Sequence, residues 1–291
     1  MAKMTLRRCL PAKCYRQIAF RLKFGRWIDF KNPKTLNEKI MWRKTYGMSQ
    51  IHSLVSDKYA VRKYVSDRIG QDCLIPVFQV LESMEDFDYG KLPTSFVAKP
   101  TNSSGQILLV RDKSRLSECE MRKTSAKWLN PGYYVTREPE YRSIPRRIII
   151  EQFLTGTDGS IPADYKFHCF AGCVEFIAVD VDRFGDHRRT YYSRNWEPMP
   201  FVWCGVHRNG QAVYSECQAV PKPRRLEEMV TCAERLSQGF GYIRVDLYQC
   251  EQRIYFGELT LSHGGGLERF IPDGYDAIYG AKWDIHSRDL V

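Results

Sequence analysis

Arg244-Val245-Asp246-Leu247-Tyr248 and Tyr255-Phe256-Gly257-Glu258-Leu259-Thr260 alternate charged and apolar side chains on either side of Cys250-Glu251-Gln252, and read as two strands of one hairpin. With a side-chain period of two, Arg244, Asp246 and Tyr248 share one face of the first strand. The same rule puts Phe256, Glu258 and Thr260 on one face of the second. Two carboxylates on adjacent strands among apolar neighbours are costly to bury unless a cation compensates them. Mg²⁺ held by one or two carboxylates plus substrate phosphates fits that arrangement. The competing reading pairs the carboxylates with Arg244 alone.

Upstream, Tyr165–Phe170 and Val174–Val181 form a second hairpin about Ala171-Gly172, and Asp164, Lys166 and His168 make a polar stripe on its first strand. Lys166 is placed to hold a phosphate, with Asp164 positioning it or a ribose hydroxyl. The run Ile148-Ile149-Ile150-Glu151 is a strand ending in a loop, whose main chain can meet an adenine edge or simply leave the core. Ser95–Lys99 and Ile107–Val110 flank the small-residue loop Pro100–Gln106, where Gly105 lets backbone N–H groups approach phosphate oxygens and Lys99 adds a point charge. It lacks the Walker A pattern. Before these strands come helices: a basic amphipathic one over Leu10–Phe30, then one from Leu36 behind a Thr35/Glu38 capping box. A third opens at Ser56-Asp57 and closes near Gly70, and further helices cover Ser114–Leu129 and Arg224–Gln238. Helices and antiparallel strands in blocks indicate an α+β fold.

The chain has 291 residues and a net charge of +10, which favours anionic ligands such as nucleotides, nucleotide-sugars, nucleic acid or anionic lipid. No apolar run is long enough to span a bilayer, and the N-terminus lacks a signal-peptide core. The 10 cysteines are scattered without a C-x-x-C, so free thiols in the cytoplasm are expected rather than disulfides or zinc ligands, Cys169 and Cys173 beside His168 included. The Leu10–Phe30 helix either packs on the body or lies on anionic headgroups at the inner face of a membrane.

Seven short strings occur in an order that resembles the TupA-like ATP-grasp family: Leu36-Asn37-Glu38-Lys39-Ile40 with Trp42, Asp57-Lys58-Tyr59-Ala60-Val61-Arg62, Phe96-Val97-Ala98-Lys99, Ile148-Ile149-Ile150-Glu151, Asp164-Tyr165-Lys166-Phe167, Arg244–Tyr248, and Phe256-Gly257-Glu258-Leu259-Thr260. The resemblance implies an ATP-grasp fold of two α+β lobes with antiparallel sheets gripping Mg²⁺·ATP. A helical region would occupy 1–75, a smaller lobe with the phosphate loop 76–150, and a larger lobe with the metal site 151–291. It further implies that Lys99 and Lys166 contact phosphates and that Thr101, Asn102, Ser103, Ser104, Gly105 and Gln106 close over them. Glu151 with the main chain of Gln152 and Phe153 would frame adenine, and Asp246 and Glu258 would bind magnesium. Arg183 would face the acceptor or the transferred phosphoryl group, and Arg244 and Lys166 join it as catalytic candidates. Where relatives end the metal strand in Glu-x-Asn this chain has Thr260, and its loop carries fewer glycines and no histidine.

By that likeness the reaction is a carboxylate–amine ligation through an acyl-phosphate, on carbohydrate or amino-acid substrates of capsule or other surface-polysaccharide biosynthesis. A kinase acting on a sugar or polyol hydroxyl would use the same cradle, with Asp182, Asp164 or His263 as base. A basic nucleic-acid-binding module is the reading from another class, but no RNP-like, helix-turn-helix or zinc-finger pattern supports it. His263-Gly264-Gly265-Gly266 serves either as a substrate loop or as a turn.

Overall fold

The computed structural model describes residues 10–129, 137–156, 159–182, 185–206, 212–213, 215–216 and 219–287. Four helices come first: α1 (Ala12–Phe24), α2 (Leu36–Tyr46), α3 (Gln50–Ser56) and α4 (Val61–Ile69). A four-stranded antiparallel sheet follows, ordered β1 (Val77–Leu81), β4 (Ile148–Gln152), β2 (Phe96–Pro100), β3 (Leu108–Val110). Helix α5 (Glu118–Leu129) lies against β2 and β4. The second sheet has six strands in the order β11-β10-β5-β6-β7-β9. These are β5 (Asp164–Phe170), β6 (Cys173–Val181), β7 (Arg188–Ser193), β9 (Ser215–Glu216), β10 (Tyr242–Cys250) and β11 (Arg253–Thr260). All its pairings are antiparallel except β7 with β9. Strands β8 (Val202–Cys204) and β12 (Arg269–Ile271) pair separately, and helices α6 (Leu226–Ser237) and α7 (Gly274–Ala281) complete the chain.

Alternation decides what each sheet face does. On the four-stranded sheet, Phe96, Ala98, Ile148 and Ile150 pack with Met121 of α5. Their neighbours Val97, Lys99, Ile149 and Glu151, matched across β2 and β4, must face the other way, toward the cleft. On the six-stranded sheet, Phe167, Val179, Val245 and Leu247 bury one face against Met229, Val230, Ala233 and Leu236 of α6. Truncating Leu236 to alanine there should cost about 2–5 kcal/mol. The opposite face is divided. At one end Phe176, Tyr191 and Tyr242 disappear under an aromatic cluster that includes Trp203 and Phe270, closed by Leu36 and Ile40 of α2 and by Tyr279 of α7. At the other end Asp164, Lys166, Asp180, Arg244 and Asp246 remain on the cleft side.

Several details correct the sequence reading. The first helix stops at Phe24 rather than Phe30, because Gly25 takes the left-handed φ of 76° and its N–H returns to Arg21 O. The helix expected to open at Ser56-Asp57 and close near Gly70 begins later, at Val61, after Asp57 accepts from the N–H of Tyr59 (2.9 Å), and α3, which ends at Ser56, is a separate helix before it. The segment before α5 is a separate 3-10 turn over Lys113–Arg115. Phe256 does not share a face with Glu258. A β-bulge at Gly257 pairs Glu258 with Asp246 but Phe256 with Leu247, turning Phe256 into the α6 core. A Cβ on Gly257 would sit 2.9 Å from the Tyr248 ring and 3.1 Å from Asp246 O, so the bulge needs glycine. The Thr35–Glu38 capping box is present.

The N-terminal helices are built into the body of the larger sheet. Arg43 of α2, 1% exposed, donates to Tyr242 O (2.6 Å) and to Leu261 O, and lies 4.4 Å from the Trp283 ring. Strand β4 is continuous from Ile148 to Gln152 inside the four-stranded sheet. No helix among the described residues is long and apolar enough to cross a membrane.

Candidate functional site

Between the two sheets runs one cleft with two chemically different halves. The first is an apolar slot walled by Ile75, Val97, Leu109, Phe153, Leu154 and Ile161, with Glu151 and Asp164 at its edge. The second is a polar chamber of about 410 Å³ lined by Lys58, Lys166, Arg189, Arg244, Glu258 and Glu268 among others. Lys99, Ile107 and Tyr248 belong to both and mark the junction.

The chamber floor is a charge lattice set by strand register. Asp246 is the Cα partner of both Glu258 and Lys166, and Asp164 is the partner of Asp180. Arg244 grips Asp246 through Nε (2.6 Å) and Nη2 (2.7 Å), and the same Nη2 reaches Glu258 Oε1 (2.8 Å). Burial alone would lower the Arg244 pKa, but Asp246 and Glu258 outweigh it and hold the guanidinium above its ordinary value. Lys166 donates to Asp164 and lies 3.1 Å from Asp246 and 3.5 Å from Asp180. Arg189 closes bidentate on Asp180 (2.5 and 2.9 Å), and His187 approaches it at 3.1 Å. Burial would raise the Asp180 carboxyl; the bonds from Arg189 and His187 win and hold it well below the usual carboxylate range.

The chamber ends at His263. Its Nδ1 is 2.7 Å from Arg244 Nη1, and since a guanidinium only donates, the ring proton must sit on Nε2, 2.9 Å from Glu268 Oε2. Burial lowers the His263 pKa to about 4, so the ring is neutral near pH 7. Gly264, Gly265 and Gly266 all have positive φ (54°, 64° and 75°), a left-handed run that turns the chain and leaves His263 inside. A Cβ on Gly264 would collide with the Glu268 side chain.

Most of the residues expected from sequence do converge. Lys99 is salt-bridged to Glu151 (2.6 Å) at the mouth of the slot, and Arg62 adds a longer contact to Glu151 (3.6 Å). Glu258 is the most open of the charged floor, 35% exposed, and accepts from Thr260 Oγ1 (3.1 Å). Three expectations change. Lys166, 2% exposed, is held among three carboxylates rather than presented alone to a phosphate. Thr101 is fully buried, its N–H donating to Arg147 O (2.8 Å) and its hydroxyl to Pro145 O (3.1 Å), so it anchors the loop instead of closing on a ligand. The N–H of Gln152 donates to Pro76 O (2.9 Å) and is not offered to a base edge. Of the remaining loop, Ser103 bonds Gln106, Ser104 bonds Glu138, Asn102 is half-buried, and Gly105 and Gln106 line the chamber. Arg183 lies outside the described residues.

Sequence reasoning passed over Asp180, Arg189, His187, Glu268 and Lys58. Asp180 had a usable signal, an acid between Val179 and Val181 at the end of the apolar run Phe176–Val179. Arg189 could have been found only by recognising β7, whose alternation is short.

Oxygen donors alone face one another at Asp246 and Glu258, with the Thr260 hydroxyl beside them, which is the donor chemistry of a hard divalent cation. Arg244 already supplies positive charge there, so the protein satisfies the two carboxylates in either case. No group of three or more His, Cys, Asp or Glu among the described residues is arranged as a self-sufficient metal cage. The set therefore suits a cation that takes its remaining ligands from phosphates.

Residues 38–284 match the family described as TupA-like ATPgrasp. The chain belongs to the TupA-like ATP-grasp family. No curated protein matches it in sequence. Among solved structures, this family member is similar to D-alanine–D-alanine ligase from Bacillus anthracis complexed with ATP, at 17% identity and a TM-score of 0.41, over 73% of this chain and 57% of that one. D-Alanine–D-alanine ligase from Helicobacter pylori is similar at 14% identity and a TM-score of 0.42, over 88% of this chain and 69% of that chain. L-amino acid ligase from Bacillus licheniformis aligns at 15% identity and a TM-score of 0.42, over 88% and 54%. The chain thus spans less than two thirds of two of these three proteins.

Proposed function

We propose that this TupA-like ATP-grasp chain is a cytoplasmic Mg²⁺·ATP-dependent ligase that activates a carboxylate as an acyl-phosphate and passes it to an amine, in the biosynthesis of capsule or another surface polysaccharide. The observation that carries this reading is the continuity of the cleft: an apolar slot suited to a purine opens, past Lys99, into a chamber floored by Arg244, Asp246 and Glu258.

In this reading the base lies in the slot near Phe153 and Glu151, and the phosphates pass Lys99 beneath Gly105 and Gln106. Asp246 and Glu258, with Thr260, hold Mg²⁺, which would neutralise phosphate charge in the transfer. Lys166 is a positioning residue that fixes Asp164, Asp180 and Asp246. Arg244, always protonated and aimed from the floor, stabilises negative charge on the transferring phosphoryl group as the acceptor carboxylate oxygen attacks the γ-phosphorus and ADP leaves. The amine then adds to the acyl carbon, phosphate departs, and an amide remains. Catalysis is mainly positioning and charge stabilisation.

The bonding pattern favours ligase over kinase. A kinase needs a carboxylate or imidazole ready to take a hydroxyl proton, yet Asp164 is bound to Lys166, and Asp182 does not line the chamber and accepts from the N–H of Asp186 (2.9 Å). His263 Nδ1 already accepts from Arg244. The two are separated by incubating the protein with Mg²⁺·ATP, uronic acids and amino acids or amino sugars. Free phosphate and an amide are the expected products; a phosphorylated sugar without phosphate release would favour the kinase.

The outer face of α1 fits a lipid-linked acceptor. Leu22 (80% exposed) and Trp27 (59% exposed) stand among Arg21, Arg26 and Lys31, and residues 1–28 contain no acid. Apolar side chains beside an excess of basic ones are complementary to anionic headgroups.

A further inference from the structure

The string Asp57-Lys58-Tyr59-Ala60-Val61-Arg62 lies outside both sheets, yet it contacts the four-stranded wall of the cleft at several points. Asp57 Oδ2 bonds Arg147 Nη2 (2.6 Å), and the Arg147 guanidinium rests 5.0 Å from the Tyr59 ring centre. The backbone N–H of Lys58 donates to Thr101 O (3.2 Å), and its ammonium donates to Ser103 O at the other side of the loop 101–106. Arg62 reaches Glu151, the partner of Lys99. The connection between α3 and α4 is thereby pinned to the loop, to β4 and to the segment preceding β4.

Lys58 is the member of this string whose charge enters the chamber. It makes no ion pair among the described residues, and apart from Ser103 O its ammonium faces the Tyr141 ring at 5.6 Å. Burial lowers its pKa, opposed first by Glu258 and reinforced by Lys99, so a nearby lysine of like charge works against it. Two lysines converging on a cleft without a carboxylate paired to one of them is the environment of a bound anion. Position narrows which anion. Lys99 lines both slot and chamber, whereas Lys58 lines the chamber only, together with Glu258 and Arg244. A nucleotide whose base fills the slot passes Lys99 with its inner phosphates and presents its terminal phosphate to Lys58.

We propose that Lys58 is a terminal-phosphate-binding residue supplied by the N-terminal helical region, and that through Ser103 it couples that phosphate to the position of the loop 101–106. This rests on the ATP-dependent reading above. It makes the N-terminal region a third wall of the nucleotide site, so the two sheets alone would form an incomplete one.

The test is direct titration of Mg²⁺·ATP and Mg²⁺·ADP into the full chain and its Lys58→Met and Lys58→Arg variants. Lys58→Met should weaken ATP by roughly tenfold to a hundredfold, the loss of one charge-assisted phosphate contact, and leave ADP within about twofold. Unchanged ADP binding also shows that the variant is folded, and Lys58→Arg should recover most of the ATP affinity. Equal weakening of ATP and ADP, or no change in either, would overturn the proposal while leaving the ligase reading intact. If the wild-type chain bound neither nucleotide, both would fall.

Discussion

The two walls of the cleft solve the problem of carrying charge in opposite ways. The four-stranded sheet presents one principal ion pair, Lys99–Glu151, on an otherwise apolar surface, and its loop is held by partners from elsewhere: Lys58, Glu138 and Arg147. The six-stranded sheet carries Asp164, Lys166, Asp180, Arg189, Arg244 and Asp246 in one interlocked lattice, each 8% exposed or less. Strand geometry underlies the contrast, since the lattice pairs opposite charges across strands, Asp246 with Lys166 and Asp180 with Arg189, and two residues along one strand, Arg244 with Asp246 and Lys166 with Asp164. The larger wall is therefore a preorganised floor, whereas the smaller wall can rearrange around a ligand at modest cost.

The largest expected effect breaks the floor. Asp246→Ala leaves Arg244 without its bidentate acceptor and Lys166 with one carboxylate fewer, and should cost about 3–5 kcal/mol. Thermal unfolding should report this as a fall on the order of 10 °C. Lys99→Ala on the opposite wall should cost only about 1–2 kcal/mol, because Arg62 still faces Glu151. Comparable losses at the two positions would erase the distinction between the walls.

Acid should weaken the floor first at His263. Its folded pKa of about 4 lies below the ordinary value, so the unfolded chain binds the proton more readily. Stability should therefore fall as pH drops from about 6.5 towards 4, by roughly 3 kcal/mol over that window. Asp180, whose folded pKa is depressed, adds its own loss only below about pH 4. His263→Asn should flatten the upper part of a Tm-against-pH curve; an unchanged slope would contradict the assignment of a neutral, buried ring.

The smallest effect lies outside both walls. Leu22→Glu with Trp27→Glu should leave nucleotide binding untouched and weaken cosedimentation with phosphatidylglycerol vesicles by about tenfold. Equal binding by wild type and variant would mean that α1 makes no headgroup contact.

The floor was more legible in the sequence than the rim. Asp246, Glu258, Arg244, Asp164 and Lys166 stood out because a charge on an alternating apolar strand must find a partner or a ligand. The α+β class, the capping box at Thr35 and both long hairpins followed from the same local patterns. Phe256 was misplaced because a bulge shifts alternation by one residue, and Gly257 marks it only once the crowding against Tyr248 is seen. Thr101 looked like a ligand residue because its bonds to 145–147 join segments far apart in the chain. Lys58 belonged to a recognised string, but what it reaches depends on how α3 and α4 dock, which no local pattern encodes.

Binding of Mg²⁺·ATP through Glu258, in the cleft between the two sheets, is tested most directly by thermal unfolding of wild type and Glu258→Gln across a titration of ATP with and without Mg²⁺. Glu258 is partly exposed, so the ligand-free variant should unfold close to wild type. The wild type should gain about 2.7 kcal/mol at a hundredfold excess over Kd, only with Mg²⁺, and the variant should lose most of that gain. An equal Mg²⁺-dependent gain in both proteins, or none in either, would contradict the account.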